Sequence, residues 1–340
     1  MNLPYTAKLT VEKYLGGVRV DRFLAKHFRN YTPFRMARIV RAGGVHIEGA
    51  RADSRQRVFA GQRVEVHLLE PPDKLLDPEP LELNILFEDD WLVVINKPAG
   101  LVTHPVGAFQ SGTLCNGLQH YFDELTQLRG LLRPGIVHRL DRHTSGLIVA
   151  TKHHLAHRLL SIQFQRDQIS KSYLALVEGD ISTKQGDIDL PIGRHSSGNS
   201  VLMSAQPTAL CPRSAHTRYS VVERLDGHTL VRAHPLTGRN HQIRVHLAAI
   251  GHPVVGDEFY GSYGAIKPSR FDTFERSGLP RADLHELGHV PMARHALHAE
   301  RLGFKHPIHG EAFDFASPLP VDLQTKLHSI RGTDARKLVI

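Results

Sequence analysis

A short polar segment in the middle of the chain carries the residues best suited to chemistry. Residues 138–142 read His-Arg-Leu-Asp-Arg and lie between two apolar, strand-like runs. Asp141 is therefore a carboxylate on a loop between rigid elements, where catalytic groups concentrate. An arginine beside a carboxylate lowers its pKa and keeps it an anion. Such an anion on a tight loop can act as a nucleophile.

The same residues also have an interpretation without chemistry. Arg139 and Arg142 could form surface ion pairs with Asp141, worth about 0–1 kcal/mol, and an isolated Arg-Leu-Asp-Arg favours that interpretation. The longer string, His-Arg-Leu-Asp-Arg-His-Thr-Ser-Gly-Leu at 138–147, resembles the central motif of the RluA-type pseudouridine synthases. In that family the aspartate of His-Arg-Leu-Asp-x-x-Thr-Ser-Gly-Leu is the catalytic nucleophile. The resemblance gives this role to Asp141.

Further segments are similar to motifs of the same family and occur in the expected order over residues 80–325. They are the opening motif at 84–105, Lys-Ser-Tyr-Leu-Ala-Leu-Val at 171–177, Leu-Thr-Gly-Arg-Asn-His-Gln-Ile-Arg-Val-His-Leu at 236–247, Gly-Asp at 256–257, Tyr-Gly at 260–261, His-Ala-Leu-His-Ala at 295–299 and Pro-Leu-Pro at 318–320.

Pseudouridine formation makes three demands on a protein. The uridine must leave the base stack, because a stacked base is out of reach of an active site. An anion must attack or stabilise the sugar while the base is detached. The detached base must then be kept from escaping and turned so that it rejoins the sugar through carbon 5, and the carbon 5 proton must be removed. Whether Asp141 attacks ribose carbon 1′ or acts by another route stays open at this point.

The resemblance implies roles for three further residues of the site. Tyr173, on a probable strand, would stack on the flipped uracil, although a tyrosine of the core is the alternative. Arg244, on a probable helix, would pair with Asp141, because an unpaired buried charge is very costly; an outward-facing arginine is the alternative. Arg139 would contact the RNA backbone near the flipped nucleotide, or else form a local salt bridge.

The pattern of apolar residues predicts an α+β fold with a mainly antiparallel sheet. Strand-like runs occupy residues 85–96, 136–151, 172–179 and 218–234, and helices are predicted at 154–166 and 240–250. The resemblance implies a mixed, bifurcated sheet, the pseudouridine synthase fold, with the catalytic cleft across its middle.

The N-terminal part differs from the rest in charge. Residues 1–75 contain 14 Lys and Arg against 7 Asp and Glu, so they account for +7 of the net charge of +8. Two short helices, the second starting at Pro33, are followed by small strands, and this unit resembles the ribosomal-protein-S4-like RNA-binding domain. The expected phosphate contacts are Arg35, Arg38, Arg41 and Arg51. Taken singly, each of these arginines fits a solvated charge better, because only a minority of surface arginines contact phosphate.

The domain organisation follows from these features. We expect an S4-like domain at 1–70, a Pro-rich, semi-rigid linker at 71–82, a catalytic domain at 83–330 and a basic tail at 331–340. No stretch has the roughly 20 apolar residues of a transmembrane helix, and the N-terminus lacks the apolar core of a signal peptide. Two distant cysteines are typical of free cytosolic thiols, so a cytoplasmic protein is expected.

Neither a metal nor an organic cofactor is predicted. Residues 285–289, His-Glu-Leu-Gly-His, match the His-Glu-x-x-His zinc motif, but its chemistry needs a stable helix. Gly288 and Pro291 disfavour a helix there, so we discount a zinc peptidase.

The sequence thus predicts a cofactor-independent RNA pseudouridine synthase that binds RNA, most naturally large-subunit ribosomal RNA, and acts as a monomer. The alternatives are a transfer RNA substrate with the same chemistry, and a non-catalytic RNA-binding or ribosome-assembly factor.

Overall fold

The N-terminal unit of the computed structural model is a small α/β layer with its own core. The structure describes residues 5–68, 72, 76–107, 110–126, 129–199, 201–267 and 292–337. The unit contains β1 (Tyr5–Thr10), a 3₁₀ turn (Lys13–Leu15), α1 (Val20–His27), α2 (Pro33–Arg41), β2 (Val45–Ile47), β3 (Ala50–Arg51) and β4 (Arg63–Leu68), with the strands in the order β1-β4-β2-β3.

Helix α2 shows how the local sequence produces this unit. Thr32 caps it by accepting the N–H of Arg35 at 3.2 Å, and Pro33 occupies the first turn, where a missing N–H costs nothing. Gly43, which follows the end of the helix, has the left-handed φ of +85° that lets the chain turn away from α2. The helix buries Met36 in the core of the unit. The helix predicted to start at Pro33 is present.

The rest of the chain forms the body of the protein. Its strands are β5 (Ile85–Glu88), β6 (Leu92–Lys97), β7 (Gly135–Ile136), β8 (Ser145–Thr151), β9 (Ser170–Glu178), β10 (Gln185–Asp189), β11 (Ile192–Arg194), β12 (Met203–Ser204), β13 (Leu210–Arg213), β14 (His216–Leu225), β15 (His228–Pro235), β16 (Leu297–Lys305) and β17 (Ala312–Ala316). Its helices are α3 (Leu114–Thr126), α4 (His154–Gln165), α5 (Gln242–Ala249) and α6 (Val321–Lys337). Within the described residues, no helix is long and apolar enough to span a membrane.

The main sheet is mixed and mainly antiparallel, as predicted. Its order in the described chain is β10-β14-β15-β9-β16-β8-β6-β5, with β17 beside β16 and β7 beside β8. Only β16 and β8 run parallel among the strand pairs that the structure describes. Strands β11, β12 and β13 form a separate small sheet. The α+β class predicted from the sequence is therefore present.

Strand β8, which follows the Asp141 loop, is buried on both faces. Ile148 packs with Phe122 of α3 on one side, and Val149 packs with Leu160 of α4 on the other. The sequence of β8 therefore contains a continuous apolar run rather than an alternation of apolar and polar residues. At the start of β8, a Cβ on Gly146 would lie 2.3 Å from the carbonyl oxygen of Ala299, so the Thr-Ser-Gly turn needs glycine there.

The sheet divides at Tyr173. Strands β9 and β15 pair as far as Tyr173 and Ala233. Beyond that point β15 continues beside β14, and β9 continues to Ser170 beside β16. The two branches therefore separate, and a cleft opens between them.

Two features differ in detail from the prediction. Helix α5 begins at Gln242 rather than at residue 240, because His241 has the left-handed φ of 55°. Helices α3 and α6 were not predicted, and α6 runs to Lys337, through the start of the segment expected to be a basic tail.

The N-terminal unit contacts the body rather than only being tethered to it. The hydroxyl of Tyr14 lies 2.8 Å from Nε2 of His154 at the start of α4. The buried Asn30 side chain donates to the carbonyl oxygen of Gly130 at 3.0 Å. In the segment expected to be a linker, the carbonyl oxygen of Asp77 accepts from the Asn116 side chain at 2.8 Å. This part of the segment thus lies against α3.

Candidate active site

A cleft of about 690 Å³ lies where the sheet divides. It is bounded by the loop before β8, by one side of α4, by the start of β9 and by the turn before α5. The residues of the predicted site that line it are Arg139, Asp141, Tyr173 and Arg244. Residues more than 100 positions apart in sequence therefore share one cavity.

The loop that carries Asp141 is tied to its surroundings through its backbone. The carbonyl oxygen of Asp141 accepts the N–H of Thr144 at 3.1 Å, and that of Leu140 accepts the hydroxyl of Thr103 at 3.0 Å. The ammonium group of the fully buried Lys97 donates to the carbonyl oxygen of Arg142 at 3.2 Å. The Asp141 carboxylate consequently has a fixed position, and its side chain is 21% exposed in the cleft.

Arg244 holds two carboxylates at once. Its Nη1 donates to Oδ2 of Asp141 at 3.0 Å, while Nε and Nη2 donate to the two oxygens of Asp257 at 2.7 and 2.8 Å. The arginine side chain is 2% exposed and that of Asp257 is fully buried. The bidentate pair fixes the guanidinium plane, so Arg244 presents its remaining edge to Asp141.

The charge that keeps Asp141 ionised comes from distant residues. Burial acts to raise the pKa of Asp141, but distant groups outweigh it, of which Arg244 is the one that stays charged at neutral pH, and the pKa lies below its ordinary value. The adjacent arginines, which we expected to have this effect, are exposed. Arg142 donates to the carbonyl oxygen of Gly100 at 3.1 Å. The side chains of neighbouring residues on a loop point in different directions. Residues adjacent to Asp141 in the sequence therefore need not be the ones that set the pKa of its carboxyl group.

Tyr173 lies in the wall of the cleft at the point where β9 leaves β15. Burial, together with the nearby Asp141 carboxylate, raises the pKa of Tyr173, so its hydroxyl is protonated at neutral pH. Its ring packs partly against both flanking cores. An aromatic surface therefore stands close to a carboxylate in a cavity large enough for a nucleobase.

The family of the chain follows from comparison with known proteins. The sequence model of the family described as "RNA pseudouridylate synthase" matches residues 91–249. An uncharacterised RNA pseudouridine synthase of Bacillus subtilis is 35% identical, over 95% of this chain and 97% of its own. Ribosomal large subunit pseudouridine synthase D of Pseudomonas aeruginosa is 37% identical, over 93% of each chain. This chain belongs to the RNA pseudouridine synthase family.

A solved structure agrees with this assignment. Human RNA pseudouridylate synthase domain containing 4 superposes with a TM-score of 0.55 at 27% identity, over 73% of this chain and 93% of that one. The family and the enzyme class implied by the motifs, an RNA pseudouridine synthase, are thus confirmed.

Sequence reasoning did not single out several residues of this pseudouridine synthase site. Asp257 was noted only as part of a motif, and its role as partner of Arg244 was not foreseen. His241, Lys97 and Tyr260 were not named as site residues. The signal available for Lys97 was its place in an apolar strand, where a lysine needs partners. Burial lowers its pKa to about 7, and three carbonyl oxygens accept from it.

Basic residues surround the mouth of the synthase cleft. Besides Arg139, the lining includes Lys171, Arg213 and Arg239. Arg239 donates to the carbonyl oxygen of Ser214 at 2.9 Å and so braces the turn before α5. Cations in this arrangement suit the phosphates that flank a target nucleotide.

The four N-terminal arginines lie elsewhere. Arg38, Arg41 and Arg51 are exposed and Arg35 is half-buried, and none of the four lines the cleft as the structure describes it. The Arg51 side chain donates to the backbone carbonyl oxygen of Arg41 at 3.2 Å, so Arg51 lies against the end of α2.

The described part of the chain has no group of three or more His, Cys, Asp or Glu side chains that could hold a metal. The discounted His-Glu-x-x-His motif at 285–289 lies outside the described residues.

Proposed function

We propose that this pseudouridine synthase isomerises specific uridines of large-subunit ribosomal RNA, with Asp141 as nucleophile and with the target base flipped into the cleft. The observation that carries the proposal is the ionised Asp141 carboxylate, partly exposed in a cavity of about 690 Å³ and held by Arg244. A flipped nucleoside is the only form in which a uridine of structured RNA could reach it.

The surrounding residues suit the steps of the reaction. Arg244 keeps Asp141 charged and oriented, and the detached base would stack on Tyr173 in the wall of the cleft. Arg139 and the other cations at the mouth would hold the flanking phosphates. Each role relies on groups that are already in place, so little reorganisation would be needed during the reaction.

The proposed substrate class rests on the relatives. Proteins named ribosomal large subunit pseudouridine synthase D from Nitrosomonas europaea, Pseudomonas aeruginosa and Haemophilus ducreyi are 34–37% identical to this chain over at least 93% of its length. They favour ribosomal RNA over transfer RNA. These bacterial relatives also support a cytoplasmic place of action, and we propose a monomer as the active form.

The N-terminal unit has a separate proposed role. We propose that residues 1–70 act as an S4-like RNA-binding domain, joined through residues 71–82 to a catalytic domain at 83–330 with a short basic end at 331–340. The exposed arginines on α2 and β3 support phosphate binding, because they form one basic surface.

Substitution of Asp141 tests the chemistry. The variant Asp141→Asn should abolish tritium release from RNA labelled at uracil carbon 5, while RNA affinity falls little. The matched control is Asp314→Asn, which removes an exposed carboxylate paired with Arg301 at 2.7 Å and should keep full activity. Tritium release at the normal rate by Asp141→Asn would contradict the nucleophile assignment.

Mapping tests the substrate. Large-subunit RNA from a strain lacking this protein should lose pseudouridine at defined sites, and the plasmid-borne gene should restore it. Loss confined to transfer RNA would overturn the ribosomal substrate. An unchanged pseudouridine map combined with defective subunit assembly would instead support a non-catalytic role.

A further inference from the structure

His241 stands between a buried tyrosine and the catalytic carboxylate. Its Nδ1 lies 2.7 Å from the hydroxyl of Tyr260, and its Nε2 lies 4.0 Å from Oδ2 of Asp141. The ring lines the cleft and is 14% exposed. It therefore has one nitrogen in the protein interior and the other at the edge of the cavity.

The hydrogen bonds determine which nitrogen carries the proton. The hydroxyl of the buried Tyr260 accepts the N–H of Met203 at 3.0 Å, and the acceptor that the described residues offer for its own proton is Nδ1 of His241, at 2.7 Å. Burial raises the pKa of Tyr260 and lowers the pKa of His241 to about 4, so both groups are neutral at neutral pH. A neutral ring that accepts at Nδ1 must carry its proton on Nε2. That N–H faces Asp141.

The backbone of His241 is held in an unusual conformation to achieve this. Its φ of 55° and ψ of 18° lie in the left-handed region, which side chains other than glycine adopt rarely. The next residue, Gln242, braces the turn: its side chain accepts from Thr237 and Arg239 and donates to His216 and Thr217, at 2.8 to 3.0 Å. Strained residues that are held so firmly are concentrated at functional sites.

The distance between the two groups suggests what they bind. A separation of 4.0 Å is too long for a direct hydrogen bond, but one oxygen atom can lie within normal hydrogen-bond distance of both. The N–H of His241 is a donor and the Asp141 carboxylate is an acceptor. A hydroxyl group, which accepts one hydrogen bond and donates another, is the complementary partner.

We propose that His241 Nε2 and Asp141 Oδ2 together bind the 2′-hydroxyl of the target ribose, with His241 donating to it and the hydroxyl donating to Asp141. The inference rests on the proposed function and deepens it. It makes His241 a catalytic residue that holds the sugar against the carboxylate, and it lets the site distinguish RNA from DNA at the reacting nucleotide.

A comparison of matched variants and substrates tests the contact. His241→Gln keeps an N–H near the position of Nε2, whereas His241→Leu removes it; both are unbranched at Cβ and meet similar backbone strain. The substrates are an RNA stem-loop containing the mapped uridine, and the same stem-loop with 2′-deoxyuridine at that position. For each enzyme, kcat/KM is measured on both substrates.

The ratio of kcat/KM on the RNA substrate to kcat/KM on the deoxy substrate should be about five- to tenfold larger for the wild-type enzyme than for His241→Leu, because one hydrogen bond contributes about that factor. His241→Gln should keep most of that difference. The control His246→Gln alters a buried histidine of α5 that binds Thr217 and the Leu190 carbonyl, and should show the wild-type difference. Equal losses in wild type and His241→Leu would overturn the proposal and would mean that water fills the gap.

A second measurement does not depend on activity. In ¹⁵N-histidine NMR, the signal absent from His241→Gln identifies the ring, which should carry its proton on Nε2 and become a mixture of tautomers in Tyr260→Phe. A proton on Nδ1 in the wild type would overturn the proposal. If the wild-type enzyme failed to modify the unaltered stem-loop, or the large-subunit RNA from which it is taken, the proposed function would fall, whereas the tautomer test would stand by itself.

Discussion

Arg244 and Asp257 form a buried ion pair with two hydrogen bonds, of 2.7 and 2.8 Å, although 13 residues separate them. The pair sets the orientation of the guanidinium group before Asp141 contacts it. The position of Arg244 against Asp141 thus depends on a second carboxylate, that of Asp257.

Removing that partner should damage both stability and activity. Asp257→Asn leaves Arg244 with a buried charge that is only partly compensated, at an expected cost of about 3–5 kcal/mol in the free energy of unfolding. Urea denaturation measures it. The control Asp314→Asn, in an exposed pair with Arg301, should change stability too little to measure. Equal stabilities of the two variants would contradict the importance of burial.

The same pair predicts a dependence on acid pH. Because the pKa of Asp257 in the folded protein lies below its ordinary value of 3.8, its contribution is fully present above that value. It is lost as the pH falls through the lower, folded pKa. The stability difference between wild type and Asp257→Asn should therefore be constant from pH 7 to about 5 and shrink below about 4. A difference that grew on acidification would contradict this sign.

Histidines with a lowered pKa should make the protein less stable in mildly acidic solution. Burial lowers the pKa of His138 to about 3 and that of His154 to about 4. Since the unfolded chain binds protons near pH 6.5 and the folded chain does not, the unfolding free energy should fall as the pH drops from 6.5 towards 4. Urea denaturation at fixed ionic strength checks the slope. A flat profile in this range would mean that these rings protonate in the folded state.

Tyr173 should act through its ring rather than through its hydroxyl if stacking is its role. Tyr173→Phe keeps the aromatic face and should retain activity within a few-fold. Tyr173→Leu loses base stacking, worth about 1–3 kcal/mol, and should lower kcat/KM by about tenfold or more. Single-turnover kinetics on the mapped stem-loop separate the two. A severe loss in Tyr173→Phe would instead assign a proton-transfer role to the hydroxyl.

The basic surface of the N-terminal unit should contribute to RNA affinity through salt-dependent contacts. Each phosphate contact makes the fall of log affinity with log salt steeper by about 0.7–0.9. Arg38→Gln combined with Arg41→Gln should therefore make this fall shallower by nearly twice that amount. Point variants are preferable to deletion, because Asn30 and Tyr14 also hold the unit to the body. The control is Arg301→Gln on β16, which should leave the salt dependence unchanged. An equal change in that variant would mean that the effect is not specific to the N-terminal arginines.

The sequence was informative where local patterns decide structure. The proline at position 33 predicted the start of α2 correctly, since its effect on the backbone acts within the first turn. The string around Asp141 predicted a loop, which is present, and the order of the motifs indicated the family; the assignment of Asp141 as nucleophile stays a prediction. The mainly antiparallel sheet followed from the spacing of the apolar runs.

The tertiary structure decided what depends on distance in space. Nothing local to Asp141 shows that its charge is held by Arg244, 103 residues away, rather than by the arginines beside it. The sequence could not show that Asp257 binds Arg244 or that His241 turns its Nε2 towards the cleft. Coulombic and hydrogen-bond energies depend on separation and burial, and these are set only when β9, α5 and the Asp141 loop pack around the same cavity.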